Sequence, residues 1–115
     1  MHDRALLSAL RGCVVTTEFR CIAEVDRVIH EPARLAILAV LRAFESDDFI
    51  FLLKQTELSR GNLSAHLSKL ESAAYIEIAK EFVGKVPRTL VQLTDKGRKA
   101  LDAYRGEMNR ILASL

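Results

Sequence analysis

Residues 58–71, LSRGNLSAHLSKLE, place leucines on one face of a predicted helix and small hydrogen-bonding side chains on the other. Leu63, Leu67 and Leu70 are spaced i, i+4, i+7, which predicts a single buried stripe. The outer face lacks most of the Glu and Lys that usually solvate a surface helix. Acidic side chains would repel phosphate and long ones would hold the helix out of a groove, so this face suits close approach to DNA.

The polar residues of this outer face have the donors and acceptors that base edges require. Arg60 can pair with guanine or a phosphate, and Asn62 with adenine or a phosphate. Ser64 and Ser68 can bond to either target. The remaining residues predicted to meet DNA are small ones that permit close approach and a cation suited to the backbone: Gly61, Ala65 and Lys69. A helix packed on a protein partner is the alternative, but this face lacks the aromatic and Met anchors that interfaces favour.

A second basic feature follows the helix. Lys80, Lys85 and Arg88 flank a loop that contains a glycine and a proline. A hairpin with such a tip can straddle phosphates or enter a minor groove beside the helix. A solvated hairpin end also favours Lys, and Arg88 has the alternative of pairing with Glu81 across the hairpin.

The elements that would position these residues follow from periodicity and breaks. Residues 22–30 have helical spacing until Pro32, which suits the first turn of a helix with a leucine stripe at Leu35, Leu38 and Leu41. Asp47 or Asp48 is expected to cap a short helix that follows.

The second half of the chain contains the predicted helix over residues 60–72, with Ser59 as its N-cap. Residues 75–94 alternate with period two around a loop at 83–87, with Ile76, Ile78 and Phe82 on one face, which predicts a β-hairpin. A last helix should start at Thr94 and Asp95. The order predicts a winged helix-turn-helix, a mainly α fold with a β-hairpin (α+β), over residues 21–115, preceded by an N-terminal extension of uncertain structure over residues 1–20.

Composition bounds the class of protein. The 115 residues, half of them apolar and 28% charged, are those of one globular domain with no membrane segment, and we expect a cytoplasmic location. From Phe49 to Ala100 there are nine Lys/Arg and five Asp/Glu, a balance of +4, whereas the rest of the chain has eight and ten, a balance of −2. This asymmetry suits contact with a polyanion through the middle of the chain, although charges also scatter unevenly by chance.

Other chemistries find little support in the sequence. There is no phosphate-binding Gly-rich loop, no HExxH and no plausible Ser/His/Asp set, so we expect no enzyme activity and no cofactor. Cys13 and Cys21 suggest buried or idle cytosolic thiols rather than a disulfide framework, and their spacing to His2 or His30 matches no metal-ligand pattern. A redox or metal role for them is the minor alternative, and any small-molecule effector is unknown.

Several segments together carry a resemblance to a known group. RLAIL (34–38), RGNLSAHLSKLE (60–71), YIEIAKEFVGKVPRT (75–89) and LTDKGRKALDAY (94–104) resemble small winged-helix transcriptional regulators related to the MarR and ArsR families. The resemblance implies a homodimeric, sequence-specific binder of double-stranded DNA. It carries DNA contact onto Arg60, Asn62, Ser64 and His66 in the helix and onto Lys85 and Arg88 in the wing.

Two positions qualify this resemblance. His66 lies beside the leucine stripe, so a packed, hydrogen-bonded histidine is the alternative to a DNA contact. Such proteins commonly have Gly where this chain has Ala74, before the aromatic residue that starts the hairpin. If that position is left-handed, Ala costs about 1 kcal/mol relative to Gly.

A heptad pattern in the last helix predicts the dimer interface. Apolar residues recur there with 3, 4, 3, 4 spacing, the pattern of a two-helix contact: Leu101, Tyr104, Met108, Ile111 and Leu115. Residues 21–30 are expected to assist this contact.

Overall fold

The computed structural model describes residues 24–44 and 46–115. Within these ranges the helices and strands are, in chain order, α1 (Pro32–Phe44), β1 (Ser46–Asp48), α2 (Phe49–Thr56), α3 (Arg60–Ser72), β2 (Ile76–Val83), β3 (Val86–Leu93) and α4 (Asp95–Ala113). This order confirms the predicted winged helix-turn-helix. The predicted extension over residues 1–20, together with Cys13 and Cys21, lies outside the described residues.

A single hydrophobic core joins α1, α2, α3 and the sheet. Its fully buried side chains come from every one of these elements and from the segment before α1: Ile29, Ile37, Leu38, Leu41, Leu52, Leu63, Leu70, Ile76 and Val91. Leu35, by contrast, is half-buried at the edge of this cluster, whereas Ile37, which the predicted stripe did not include, is fully buried. The leucine stripes predicted on α1 and α3 therefore face each other across the core.

The sheet has three antiparallel strands within the described ranges, in the order β1–β3–β2. The hairpin of β2 and β3 was predicted, but β1 was not. Ser46, Asp47 and Asp48 have poor strand propensity, and they are extended because they pair with Gln92, Val91 and Leu90 of β3. Asp48 also caps α2, as predicted, by accepting a hydrogen bond from the backbone N–H of Phe51 at 2.7 Å.

In the segment before α1, the prediction of a helix up to His30 is wrong. Helix is present at Glu24, but residues 27–29 form a turn. The Asp26 carboxylate accepts hydrogen bonds from the backbone N–H groups of Val28 at 2.9 Å and Ile29 at 3.3 Å. A short acidic side chain that bonds its own backbone in this way competes with helical hydrogen bonding.

The wing, which is the hairpin of β2 and β3, also has a shorter loop than the sequence predicted. The loop expected over residues 83–87 is reduced to Gly84 and Lys85, because Val83 pairs with Val86 and Phe82 with Pro87. Gly84 has φ +66°, which a two-residue hairpin turn of this kind requires. Phe82 follows the alternation of Ile76 and Ile78, but it lies beyond the core and is exposed.

The connection from α3 to β2 is a Schellman motif. Ala74 adopts φ +64°, and its N–H donates to the Glu71 carbonyl while that of Tyr75 donates to the Leu70 carbonyl. The Tyr75 carbonyl then passes so close to Gly97 of α4 that a Cβ there would lie 2.1 Å from its oxygen. Gly97 is thus required by close packing and Ala74 stands where glycine is favoured.

We expect Ala74→Gly to raise the free energy of unfolding. The left-handed conformation costs a non-glycine residue about 1–2 kcal/mol, which the substitution relieves. Glycine also has more conformational freedom in the unfolded chain, which offsets part of this gain and leaves a net stabilisation of about 0.5–1 kcal/mol. Urea unfolding followed by circular dichroism measures the change. Ala73→Gly is the matched control, because Ala73 has φ −81° and should lose stability. Equal effects of the two substitutions would contradict the assignment of strain to Ala74.

Candidate nucleic-acid interface

α3 presents its polar face to solvent because its leucines are anchored in the core. Leu63 and Leu70 are fully buried and Leu67 is 3% exposed. The Ser59 hydroxyl accepts a hydrogen bond from the Asn62 N–H at 3.1 Å and starts the helix where the sequence predicted. The residues predicted to meet DNA on the opposite face are all exposed apart from His66: Arg60, Gly61, Asn62, Ser64, Ala65, Ser68 and Lys69.

The first turn of α3 combines an open surface with a positioned cation. A Cβ placed on Gly61 would meet no described atom within 4 Å, so the absence of a side chain there serves no packing role among the described residues. The Arg60 guanidinium lies 5.9 Å from the centre of the Phe49 ring, a cation–π contact with the first residue of α2. This contact positions Arg60 at the N-terminal end of α3.

His66 belongs to a hydrogen-bonded group that ties α3 to α1. The Arg34 guanidinium donates to His66 Nδ1 at 3.2 Å, so the neutral imidazole carries its proton on Nε2. That nitrogen lies 3.9 Å from the Glu31 carboxylate. The Arg34 backbone N–H donates to Glu31 and lowers the pKa of that carboxyl against the opposing effect of burial. The structure therefore gives His66 the packed environment that was the alternative to a DNA contact.

Residues 25–31, which include the turn at residues 27–29, connect α3 to the base of the wing and to α4. Arg34 donates from Nε to the Val28 carbonyl at 2.6 Å. The Tyr75 hydroxyl donates to the Asp26 carboxylate, and His30 Nδ1 shares a hydrogen bond of 2.7 Å with the Tyr104 hydroxyl. Residues 25–31 thus help to fix the positions of α3, the base of the wing and α4 relative to one another.

Burial and the neighbouring Asp26 shift the titration of Tyr75. Burial is the larger cause, and together with the hydrogen bond to the Asp26 carboxylate and its negative charge it raises the pKa of Tyr75 to about 12. Burial also raises the pKa of Tyr104. The neutral phenols are therefore the forms that the folded chain requires.

The wing presents cations and, unexpectedly, apolar side chains. Lys80, Lys85 and Arg88 are all exposed. Arg88 is the Cα partner of Glu81, yet its Nε lies 3.4 Å from the carboxylate of Asp48, not of Glu81. An ion pair this exposed stabilises by only about 0–1 kcal/mol, so Arg88 remains available to another anion.

Sequence reasoning missed two groups of residues near this face. Phe82, Val83 and Val86 are exposed at the wing tip, by 72%, 56% and 65%. A groove beside the C-terminal half of α3 is lined by Val28 and Ala73 together with cations and hydroxyls: Arg27, Arg34, Ser68, Lys69 and Ser72. The exposed valines at the wing tip were missed because Val83 and Val86 were assigned to a loop. Arg27 was missed because residues 22–30 were assigned to a helix.

The residues predicted for the dimer interface are divided between the core and the surface. Leu101, Tyr104 and Ile111 are already buried within one chain, and Met108 is partly buried against the same core. Leu115 is 89% exposed, and its neighbour Leu112 is 58% exposed.

Two further sequence expectations concern metals and membranes. Among residues 24–44 and 46–115 there is no group of three or more His, Cys, Asp or Glu side chains that could hold a metal ion. None of the helices in the described ranges is long and apolar enough to cross a membrane.

Comparison with known proteins supports the same class. Residues 33–112 match the family model described as a winged helix DNA-binding domain. An uncharacterized protein of Methanocaldococcus jannaschii is 33% identical over 78 residues, which cover 68% of this chain and 85% of the relative.

Solved structures of transcriptional regulators, among them the following two, are similar in fold. The transcriptional regulator homologue from Pyrococcus horikoshii superposes with a TM-score of 0.76 at 22% identity, over 86% of this chain and 96% of that chain. A MarR-family transcriptional regulator from Silicibacter pomeroyi superposes with a TM-score of 0.58 at 20% identity, over 84% and 66% of the two chains.

The pKa of Tyr75, raised by burial and by the hydrogen bond to Asp26, predicts a loss of stability at high pH. Tyrosine in the unfolded chain loses its proton near pH 10, whereas Tyr75 in the folded chain keeps it until about pH 12. The stability that this difference confers is fully present below pH 10 and is lost as the pH rises through 12.

Tyr75→Phe should flatten this loss between pH 10 and 12 in urea unfolding experiments. At pH 7 it should cost about 1.5–3 kcal/mol, because a hydrogen bond to a charged group is removed. Tyr104→Phe is the comparison and should leave the larger part of the alkaline loss in place. An alkaline loss in Tyr75→Phe equal to that of the parent would show that Tyr75 is not its source.

Proposed function

The chain belongs to the family of winged-helix DNA-binding domains, and from this premise we propose that it regulates transcription as a sequence-specific homodimer on double-stranded DNA. In this proposal α3 enters the major groove and the wing contacts the backbone or the minor groove beside it. The family and the fold are those of DNA-binding regulators and not of enzymes.

The exposed face of α3 is the observation that carries the proposal. Seven small, neutral or basic residues lie exposed on a helix whose opposite face is anchored by three buried leucines. The second helix of a helix-turn-helix reads base edges with its N-terminal residues. Here those residues are Arg60, Gly61 and Asn62, and the open space over Gly61 lets the helix backbone approach a base pair.

The wing supplies the cations that position the helix. Lys80 and Lys85 are exposed on the hairpin that follows α3 directly in the chain. Bonds from such side chains to phosphates fix the orientation of a protein on the duplex without reading sequence. Lys69, near the C-terminal end of α3, and Arg27 line one groove beside that helix and supply two further cations.

A homodimer would use the exposed end of α4. Leu112 and Leu115 offer apolar surface there, and Met108 is partly exposed on the same helix. Leu101, Tyr104 and Ile111 already pack within their own subunit. The interface is therefore proposed around the C-terminal turns of α4 and not along all five positions of the predicted heptad pattern. The predicted assistance from residues 21–30 falls partly outside the described residues.

A protein-interaction module is the alternative function. A gel-shift experiment with genomic DNA fragments, competed by random DNA, distinguishes the two. The proposed regulator should give a shifted band that survives an excess of random DNA, whereas a protein-interaction module should give none.

Substitutions in α3 and in the wing should weaken DNA binding in different ways. Asn62→Ala should cost about 1–3 kcal/mol of binding free energy on a DNA site selected from a random pool, and much less on scrambled DNA, because the variant can no longer bond to a base edge. Lys85→Ala with Arg88→Ala should weaken both duplexes to a similar degree. The slope of log affinity against log salt should fall by up to about 0.9 for each phosphate that a subunit no longer neutralises.

Fluorescence anisotropy at four salt concentrations measures these effects, with matched controls elsewhere in the chain. Gln92→Ala removes an exposed carboxamide from β3, and Lys99→Ala with Arg105→Ala removes the same two charges from α4 before the C-terminal turns proposed for the dimer. Lys85→Ala alone avoids disturbing the ion pair between Arg88 and Asp48. If the wing variants keep the parent's salt slope, the wing does not touch phosphate.

The spacing of the operator tests the homodimer. A two-fold dimer needs an inverted repeat whose half-site centres lie about 34 Å, or roughly 10 base pairs, apart on one side of the duplex. Inserting five base pairs turns one half-site to the far side, and affinity should fall to that of a single half-site. Undiminished affinity for the inserted duplex would exclude two-fold binding of this kind.

A further inference from the structure

The tip of the wing is apolar where a solvated hairpin end would be polar. Phe82 is 72% exposed, and Val83 and Val86, which flank the two-residue turn, are 56% and 65% exposed. Hairpin ends that only face solvent favour Gly, which adopts positive φ freely, and Asn, Asp and Ser, whose side chains bond to the turn backbone. Here only Gly84 and Lys85 form the turn, so the apolar side chains reach close to the end of the hairpin.

The strand register divides these side chains between the two faces of the hairpin. Phe82 pairs with Pro87, and Val83 pairs with Val86. Because neighbouring residues of a strand point to opposite faces, Phe82 and Pro87 share one face while the two valines share the other. The tip is thus a thin apolar edge, and Phe82 is its largest and most exposed member.

The charges around this edge indicate which partner it meets. Residues 80–88 contain Lys80, Lys85 and Arg88 against Glu81, a balance of three positive charges minus one, or +2. The carboxylate of Asp48 beside Arg88 lowers this local balance to +1. A second copy of the same tip would bring Lys85 against Lys85, and like charges repel. A polyanion, in contrast, would be attracted by the cations while the apolar edge is removed from water.

The minor groove of DNA offers both kinds of surface. Phosphates line its edges, and proteins that enter it often push apolar side chains such as Phe and Pro between base pairs, which bends the duplex. Resting on the DNA binding proposed above, we propose that the wing tip enters the minor groove and that Phe82 inserts between two base pairs, which opens that step and bends the DNA. The wing would then select flexible pyrimidine–purine steps, although it forms no hydrogen bond to their bases.

The test measures bending and step preference together. A duplex selected from a random pool is labelled at both ends for energy transfer, and its minor-groove segment beside each half-site is made either a TA step or a stiff A-tract. The parent should bend the TA duplex by roughly 20–90° and bind it about tenfold more tightly than the A-tract duplex. Phe82→Ala should lose most of the bend and the preference, whereas Phe82→Leu should keep part of both.

Phe44→Ala is the matched control, because Phe44 is another exposed phenylalanine, 58% exposed at the end of α1. It should bend DNA and prefer the TA step as the parent does. Thermal melting and sedimentation of each variant without DNA verify folding and the oligomeric state.

Three results would overturn the inference in distinguishable ways. If Phe82→Ala bends DNA and prefers the TA step as the parent does, the wedge is excluded while DNA binding stands. If Phe82→Ala changes the oligomeric state and leaves bending unchanged, the tip is a contact between copies of the chain. If the parent selects no duplex from the pool, the proposed function fails first and the wedge fails with it.

Discussion

Burial of Leu63, Leu67 and Leu70 fixes the rotation of α3, and the proposed interface depends on that rotation. The three leucines lie on one stripe, so turning the helix to expose its other side would bring apolar surface into water at roughly 1.5–3 kcal/mol per leucine. Ser59 sets where the helix begins, and the left-handed Ala74 sets where it ends. With its rotation and both ends determined, the helix presents Arg60 and Asn62 outward at its N-terminal end.

The rest of the chain holds this helix in relation to the wing and to α4. The segment at residues 25–31 bonds to α4 through His30 and to the start of the hairpin through Asp26. Its Glu31 lies near His66 of α3, and Arg34 of α1 donates hydrogen bonds both to the Val28 carbonyl and to His66. The wing base is further fixed to α4 where the Tyr75 carbonyl meets Gly97. A helix and a wing held by one framework can meet adjacent grooves of the same duplex without first ordering themselves, which lowers the entropic cost of binding.

Local sequence predicted the elements whose signals are local. The caps at Ser59, Asp48 and Thr94, the leucine stripe of α3 and the alternation of the hairpin all depend on neighbouring residues, and the structure confirms them. Strand β1 escaped prediction because two of its three residues are aspartates, and its conformation is imposed by pairing with a distant strand. The turn at residues 25–31 escaped for the opposite reason, since Asp26 overrides an apolar spacing that favours helix.

Chemical protection of a selected duplex tests the central claim, that α3 lies in the major groove. Dimethyl sulfate methylates guanine N7 in the major groove and adenine N3 in the minor groove, so it reports on both grooves in one experiment. We expect protection of guanine N7 in two patches with centres about 10 base pairs apart. Full binding of the duplex with every guanine N7 still reactive would contradict the account.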